Sequence, residues 1–168
     1  RKLRKRSKIK IFSFFKNFKI LFKKQEDGSL LISGENPAAA EYEINYKTGL
    51  TQITGIQIEV LPDKSLPANG PGRTPHGNFV LNEVRVYAST TPDFKHKDVM
   101  LLKLGQATAD YSQKDWPAQN AIDGKTGKGK NGTGWAIANE YGKPHNLIIT
   151  LAQSLKIKSG IYLHIVLD

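Results

Sequence analysis

From Gln25 onward the apolar residues of this chain recur mostly with a period of two, and that period leaves little room for helices. In residues 51–61, Ile56, Ile58 and Val60 share one face while Gln57 and Glu59 take the other. This is the pattern of a strand with one face in a core and one in water. Tyr42, Ile44 and Tyr46 alternate in the same way within residues 41–47. Further extended runs are expected at 30–33, 79–88, 99–104, 107–111, 134–138, 146–151 and 161–167, with a single helical turn at 118–122. In the run 79–88, Phe79 and Leu81 fall on odd positions and Val84 and Val86 on even ones. A bulge at Asn82-Glu83 would reconcile the two phases. Many short strands separated by Gly, Pro and Asp turns predict an all-β fold, an antiparallel β-sandwich.

Composition matters here mainly through where the charge sits. The net charge is +10, but residues 1–24 hold 11 Lys and Arg and no acid, and the remainder holds 14 basic residues against 15 acidic ones. The body is near neutral, which argues against a nucleic-acid partner, since that needs basic residues on the folded face. The chain therefore divides into a basic lead-in, 1–24, and a sandwich module, 25–168. In the lead-in, Ile11, Phe15, Phe18 and Phe22 fall near helical spacing, so an amphipathic segment on anionic lipid is one reading. The other is a solvated stretch followed by a first strand at 19–24. Membrane contact is expected only through residues 1–24 if at all, because no apolar run has the length of a span. There are no cysteines, which excludes disulfides and thiolate chemistry. The chain starts at Arg1 and stops inside a strand-like run, so it reads as a C-terminally incomplete piece of a longer protein.

The loops carry the candidate chemistry. A sugar site needs an aromatic surface for the C–H face of the ring and rigid donors and acceptors for its hydroxyls. Arg73, His76 and Asn78 lie on one Pro- and Gly-rich loop, Trp116 on a second, and Tyr141 and His145 on a third, "NEYGKPH". Each also has a plain structural reading. Trp135, inside a strand, is expected in the core. Arg73 could clamp its loop through a carboxylate such as Glu83. His145, just before the apolar run "NLIIT", reads as a structural hydrogen-bonding residue. Asp123-Gly124 forms a tight turn by local bonding of the carboxylate. Gly124-Lys125-Thr126 mimics a phosphate loop, but position 119 is Gln where the pattern wants Gly, and no helix follows. No hydrolase or zinc-protease motif is present. Asp110 and Asp115 read as surface carboxylates, and His76, His96, His145 and His164 are scattered.

The segments "AQNAIDG" and "TGW" resemble the discoidin-like members of the galactose-binding-like superfamily. The order of "ITGIQIEVLPD", "LPANGPGR", "GNFVLNEVRV", "ATADYSQ", "AIDG" and "GWAI" is similar to a module of large planctomycete-type exported proteins that also carry cytochrome-c-like domains. The resemblance covers residues 24–168. It implies a jelly-roll sandwich, galactose-binding-like, whose loops at one end bind sugar. It further implies a structural calcium ion near Asp123, with Thr133 as a second ligand. Calcium wants about six to eight hard oxygens. The expectation is a non-catalytic module of an exported protein, periplasmic or extracellular. A polysaccharide or glycan is the expected ligand, and neighbouring domains of the parent protein are further partners. The alternative is a structural or protein-docking module without a small ligand.

Overall fold

Extended chain dominates the computed structural model, which describes residues 9–13, 19–94, 97–126, 132–157 and 160–168. The strands are β1 (Ile9–Ser13), β2 (Ile20–Lys24), β3 (Leu30–Gly34), β4 (Tyr42–Thr48), β5 (Gln52–Val60) and β6 (Val80–Leu81). They continue as β7 (Val84–Ser89), β8 (Met100–Leu101), β9 (Leu104–Ala109), β10 (Trp135–Ala136), β11 (His145–Lys156) and β12 (Ile161–Leu167). A five-stranded sheet has the order β1-β4-β12-β7-β8, and a three-stranded sheet the order β5-β11-β9. Two small ribbons, β2-β3 and β10-β6, complete the set. Every recorded pairing is antiparallel.

The register explains the core. In the large sheet Ile165 pairs with Val86 and Ile44, and Leu163 with Ala88 and Tyr46, so their side chains share one face. In the small sheet Ile149 pairs with Ile56 and Ala107, and Leu147 with Ile58 and Ala109. These two faces meet in a single apolar cluster that includes Val84, Val86, Leu147, Ile149 and Leu163. Each such side chain contributes roughly 1.5–3 kcal/mol when fully buried. The antiparallel sandwich expected from the alternation is therefore the fold.

The phase break in residues 79–88 is also present. The amides of Asn82 and Glu83 both donate to the carbonyl of Asp168, at 2.7 and 3.3 Å, so two residues oppose one. The run then divides between sheets: Leu81 pairs with Trp135 in the small ribbon, while β7 joins the large sheet. The helical turn at Ala118–Ile122 forms where expected, as tight helix.

One expectation is met and one changes. Of the two readings of the lead-in, the strand at 19–24 forms: Ile20–Lys24 pairs with β3, and Ile9–Ser13 pairs with β4. Strand pairing satisfies the backbone there, and only part of the lead-in shows helical spacing. Second, β4 buries part of its polar side as well: Glu43 and Asn45 are both buried. Residues 1–8 and 14–18, most of the stretch for which membrane contact was considered, lie outside the described residues, as do His96 and 127–131. No described helix is long and apolar enough to cross a membrane.

Candidate functional site

Three loops leave the same end of the three-stranded sheet. The last residue of β5, Val60, pairs with His145 at the start of β11, and the last of β9, Ala109, pairs with Leu147. Residues 61–79, 110–117 and 137–144 therefore emerge side by side. Strand order, rather than closeness in sequence, makes them neighbours.

The first loop is folded hard on itself. Gly72 N–H donates to the Gly77 carbonyl at 2.9 Å, and Gly77 N–H to Thr74 at 2.8 Å. Gly77 has φ +81°, and a Cβ on Gly72 would collide with the Asn78 carbonyl. Arg73 holds this loop down. Its Nη2 donates to the Gly34 carbonyl at 2.6 Å and to the Glu35 carbonyl at 2.9 Å, and Asn36 Nδ2 donates back to the Arg73 carbonyl at 2.9 Å. The clamp expected for Arg73 exists, but its partners are these carbonyls. Glu83 instead accepts Gly124 N–H at 3.0 Å. The bulge pins Glu83 beside the Asp123 turn, whereas Arg73 lies against the end of β3.

The predicted residues divide between contact and scaffold. His76 is exposed and stacks on Tyr141, with centroids 6.1 Å apart and planes 6° from parallel. This joins the first loop to the third. Asn78 joins the first to the second and third: its Nδ2 donates to Gln113 Oε1 at 3.2 Å and its Oδ1 accepts Ile137 N–H at 3.2 Å. Gln113 Oε1 also accepts Ala138 N–H at 3.2 Å. Gln113 is thus the hub between loops; it ends the segment "ATADYSQ", but nothing in that segment singles it out. Trp116 is half-buried, and its main-chain N–H donates to the Gln113 carbonyl at 3.0 Å. Asp115 before it takes φ +67°, a conformation Asp tolerates better than most residues.

His145 is buried scaffold. Its Nε2–H donates to the Glu140 carbonyl at 2.8 Å, its Nδ1 lies 3.3 Å from Asp110 Oδ2, and Tyr111 packs beside the ring. Burial pushes the Asp110 carboxyl up. The Asn146 amide, the His145 ring and the Tyr111 amide outweigh it and hold the group below the ordinary carboxylate value. Trp135 is fully buried; its Nε1–H donates to the Tyr111 carbonyl at 2.9 Å and its ring meets Phe79 edge-on at 5.3 Å.

Asp123 and Thr133 do come together, with Thr133 Oγ1 donating to Asp123 Oδ1 at 3.3 Å. The same Oδ1 accepts Lys125 N–H at 2.9 Å, and the Lys125 ammonium lies 3.6 Å from Oδ2. The Thr133 carbonyl accepts Asn82 Nδ2 at 2.6 Å. These hydrogen bonds close the turn around the Asp123 carboxylate. Among the described residues no group of three His, Cys, Asp or Glu side chains is placed to hold a metal. Burial, joined by the charges of Asp123 and Asp168, pushes the Glu83 carboxyl up against the opposing Gly124 amide.

One cluster escaped the sequence pattern. On the outer face of the large sheet, His164 Nε2 lies 2.9 Å from Ser89 Oγ, and its Nδ1 meets the Asn45 side chain. Ser89 Oγ donates to the Thr91 carbonyl, and Phe94 packs on both His164 and Tyr87. The residue types are those of a serine–histidine relay. Both side chains are buried, however, and the serine proton is directed to a backbone carbonyl. The cluster fastens the segment after β7 to the sheet. Compared with protein families, with curated proteins and with solved structures, the chain finds no match.

Proposed function

We propose that the chain is a non-catalytic binding module that takes a carbohydrate on the rim formed by residues 61–79, 110–117 and 137–144. The observation that carries this reading is the His76–Tyr141 stack, which sets an exposed imidazole on an aromatic ring from a second loop. Aromatic faces suit the C–H side of a pyranose, and the adjoining polar groups suit its hydroxyls. The loops are already tied by Arg73, Asn78 and Gln113, so little ordering entropy remains to be lost on binding. The motif order, which resembles that of modules of exported multidomain proteins, supports the same reading. A glycan array of plant, algal and bacterial polysaccharides, probed with the full chain in calcium and in chelator, tests it. Binding that Tyr141→Ala abolishes is expected; silence across the array overturns the reading.

The second reading, a docking module for neighbouring domains, has its own observation. β8 is an edge strand of the large sheet, and its Met100 and Leu101 side chains are 51% and 59% exposed. Exposed apolar side chains on an unpaired edge suit another protein chain better than a sugar. Charged replacements at Met100 and Leu101 separate the two readings, since they leave glycan binding intact.

A further inference from the structure

We propose that His76 is held as its Nδ1–H tautomer and presents a bare Nε2 as the acceptor for a ligand hydroxyl. The ligand class rests on the carbohydrate reading; the tautomer does not. Thr74 Oγ1 lies 2.7 Å from the Asn78 carbonyl oxygen and 2.8 Å from His76 Nδ1. A carbonyl only accepts, so the single Thr74 proton goes to Asn78. The hydroxyl then has only lone pairs left for the ring, and Nδ1 must carry the hydrogen. In a neutral imidazole that leaves Nε2 with an open lone pair.

The surroundings preserve that lone pair. His76 is exposed, and its ring plane is fixed by Tyr141. Arg73 and Glu140, charged residues of the two loops, bond elsewhere. Arg73 turns its guanidinium to Gly34 and Glu35, and Glu140 pairs with Lys143. Among the described residues nothing bonds to Nε2. Thr74 therefore acts as a positioning residue, and His76 as the group that requires a hydrogen-bond donor from the ligand. A sugar hydroxyl meets that requirement, whereas an acceptor-only group such as an ether oxygen does not.

Ring nitrogen NMR on the labelled full chain, at a pH where His76 is neutral, reads the tautomer directly. The expected spectrum shows hydrogen on Nδ1, and Thr74→Val shifts the ring toward Nε2–H. Hydrogen on Nε2 in the unaltered chain overturns the tautomer, whatever any ligand does. Affinity electrophoresis on xylan, mixed-linkage β-glucan, alginate and agarose tests the ligand. His76→Phe keeps a ring against Tyr141 but no acceptor, and is expected to weaken binding about tenfold. His76→Gln, which restores an acceptor, recovers part of it. Equal binding by the Phe variant overturns the acceptor role. Failure of the unaltered chain to bind any of the four defeats the ligand class while leaving the tautomer result standing.

Discussion

Arg73 donates to the carbonyl of Gly34 at 2.6 Å, and through that bond the glycine-rich loop is tied to the end of the β2-β3 hairpin. The second bond, to Glu35 at 2.9 Å, uses the same nitrogen. Hydrogen bonds from a charged donor are worth roughly 1.5–3 kcal/mol where solvent is kept out. Arg73 is half-exposed, so the lower end applies. Arg73→Ala should lower the urea midpoint accordingly and speed amide exchange through β2 and β3. Arg73→Lys should recover less than half, because its ammonium ends one bond short of the position that Nη2 occupies. Unchanged exchange in the hairpin of the Ala variant would show that the clamp is incidental.

Gly72 and Gly49 make a contrasting pair. A methyl group on Gly72 meets the Asn78 backbone carbonyl, which cannot move without opening the loop, while one on Gly49 meets nothing within 4 Å. Gly72→Ala should cost about 1–3 kcal/mol or more as overpacking. It should also move the ring signals of His76 and Tyr141. Gly49→Ala should stay within about 0.5 kcal/mol of the parent. Equal stability of the two variants in urea would contradict the folded-back loop.

The Asp123 turn yields a prediction about metal and another about pH. Because its oxygens already accept from Lys125 and Thr133, Asp123→Ala should cost about 1 kcal/mol. The cost should be the same in millimolar calcium and in chelator. A calcium-dependent rise in the unaltered chain's melting temperature would refute this. Glu83 titrates higher in the fold than in the open chain, chiefly through burial and then through Asp123 and Asp168. Its contribution is thus complete below the ordinary value of 4.5 and is lost as pH rises through the folded value. Glu83→Gln, which can still accept from Gly124, should be at least as stable as the parent at neutral pH. The difference should shrink as the solution is acidified.

The core was legible where one face of a strand alone is covered. β5 shows it: Ile56, Ile58 and Val60 pack on the core, and Gln57 and Glu59 stay exposed. β4 was half legible. Tyr42, Ile44 and Tyr46 share the core-facing side, but a period of two cannot reveal that the opposite side is also covered. That depends on His164 arriving from β12 and Phe94 folding over it. Likewise the rim loops were legible one at a time, from their Gly and Pro. Which of them touch depends on β11 lying between β5 and β9, a fact of topology. For Arg73 the sequence offers a ligand contact and a clamp to a carboxylate side by side; its actual partners, main-chain carbonyls nearly forty residues earlier, carry no side-chain signature.

His164 gives the sharpest test of the outer face. Burial holds its ring below the ordinary value of 6.5, with the Thr91 carbonyl and the Asp93 charge opposing that shift. On the same face stand Glu43 and Lys47 from β4 and Arg85 from β7, the last paired with Glu41. In the unfolded chain the imidazole takes up its proton near 6.5, while in the fold it resists. The stabilisation is therefore fully present above about 6.5 and is lost as pH falls through the lower, folded value. The urea midpoint should decline between about pH 7.5 and pH 5, ahead of any carboxylate held below the ordinary range, such as Asp110. His164→Gln should start lower, having lost part of the bonding to Ser89 and Asn45, but should decline less steeply. Amide exchange in residues 90–94 should quicken over the same interval in the parent chain, because Ser89 and Phe94 fasten that segment around the ring. Parallel pH profiles for the parent and the Gln variant would remove His164 as the cause and assign the loss to other groups.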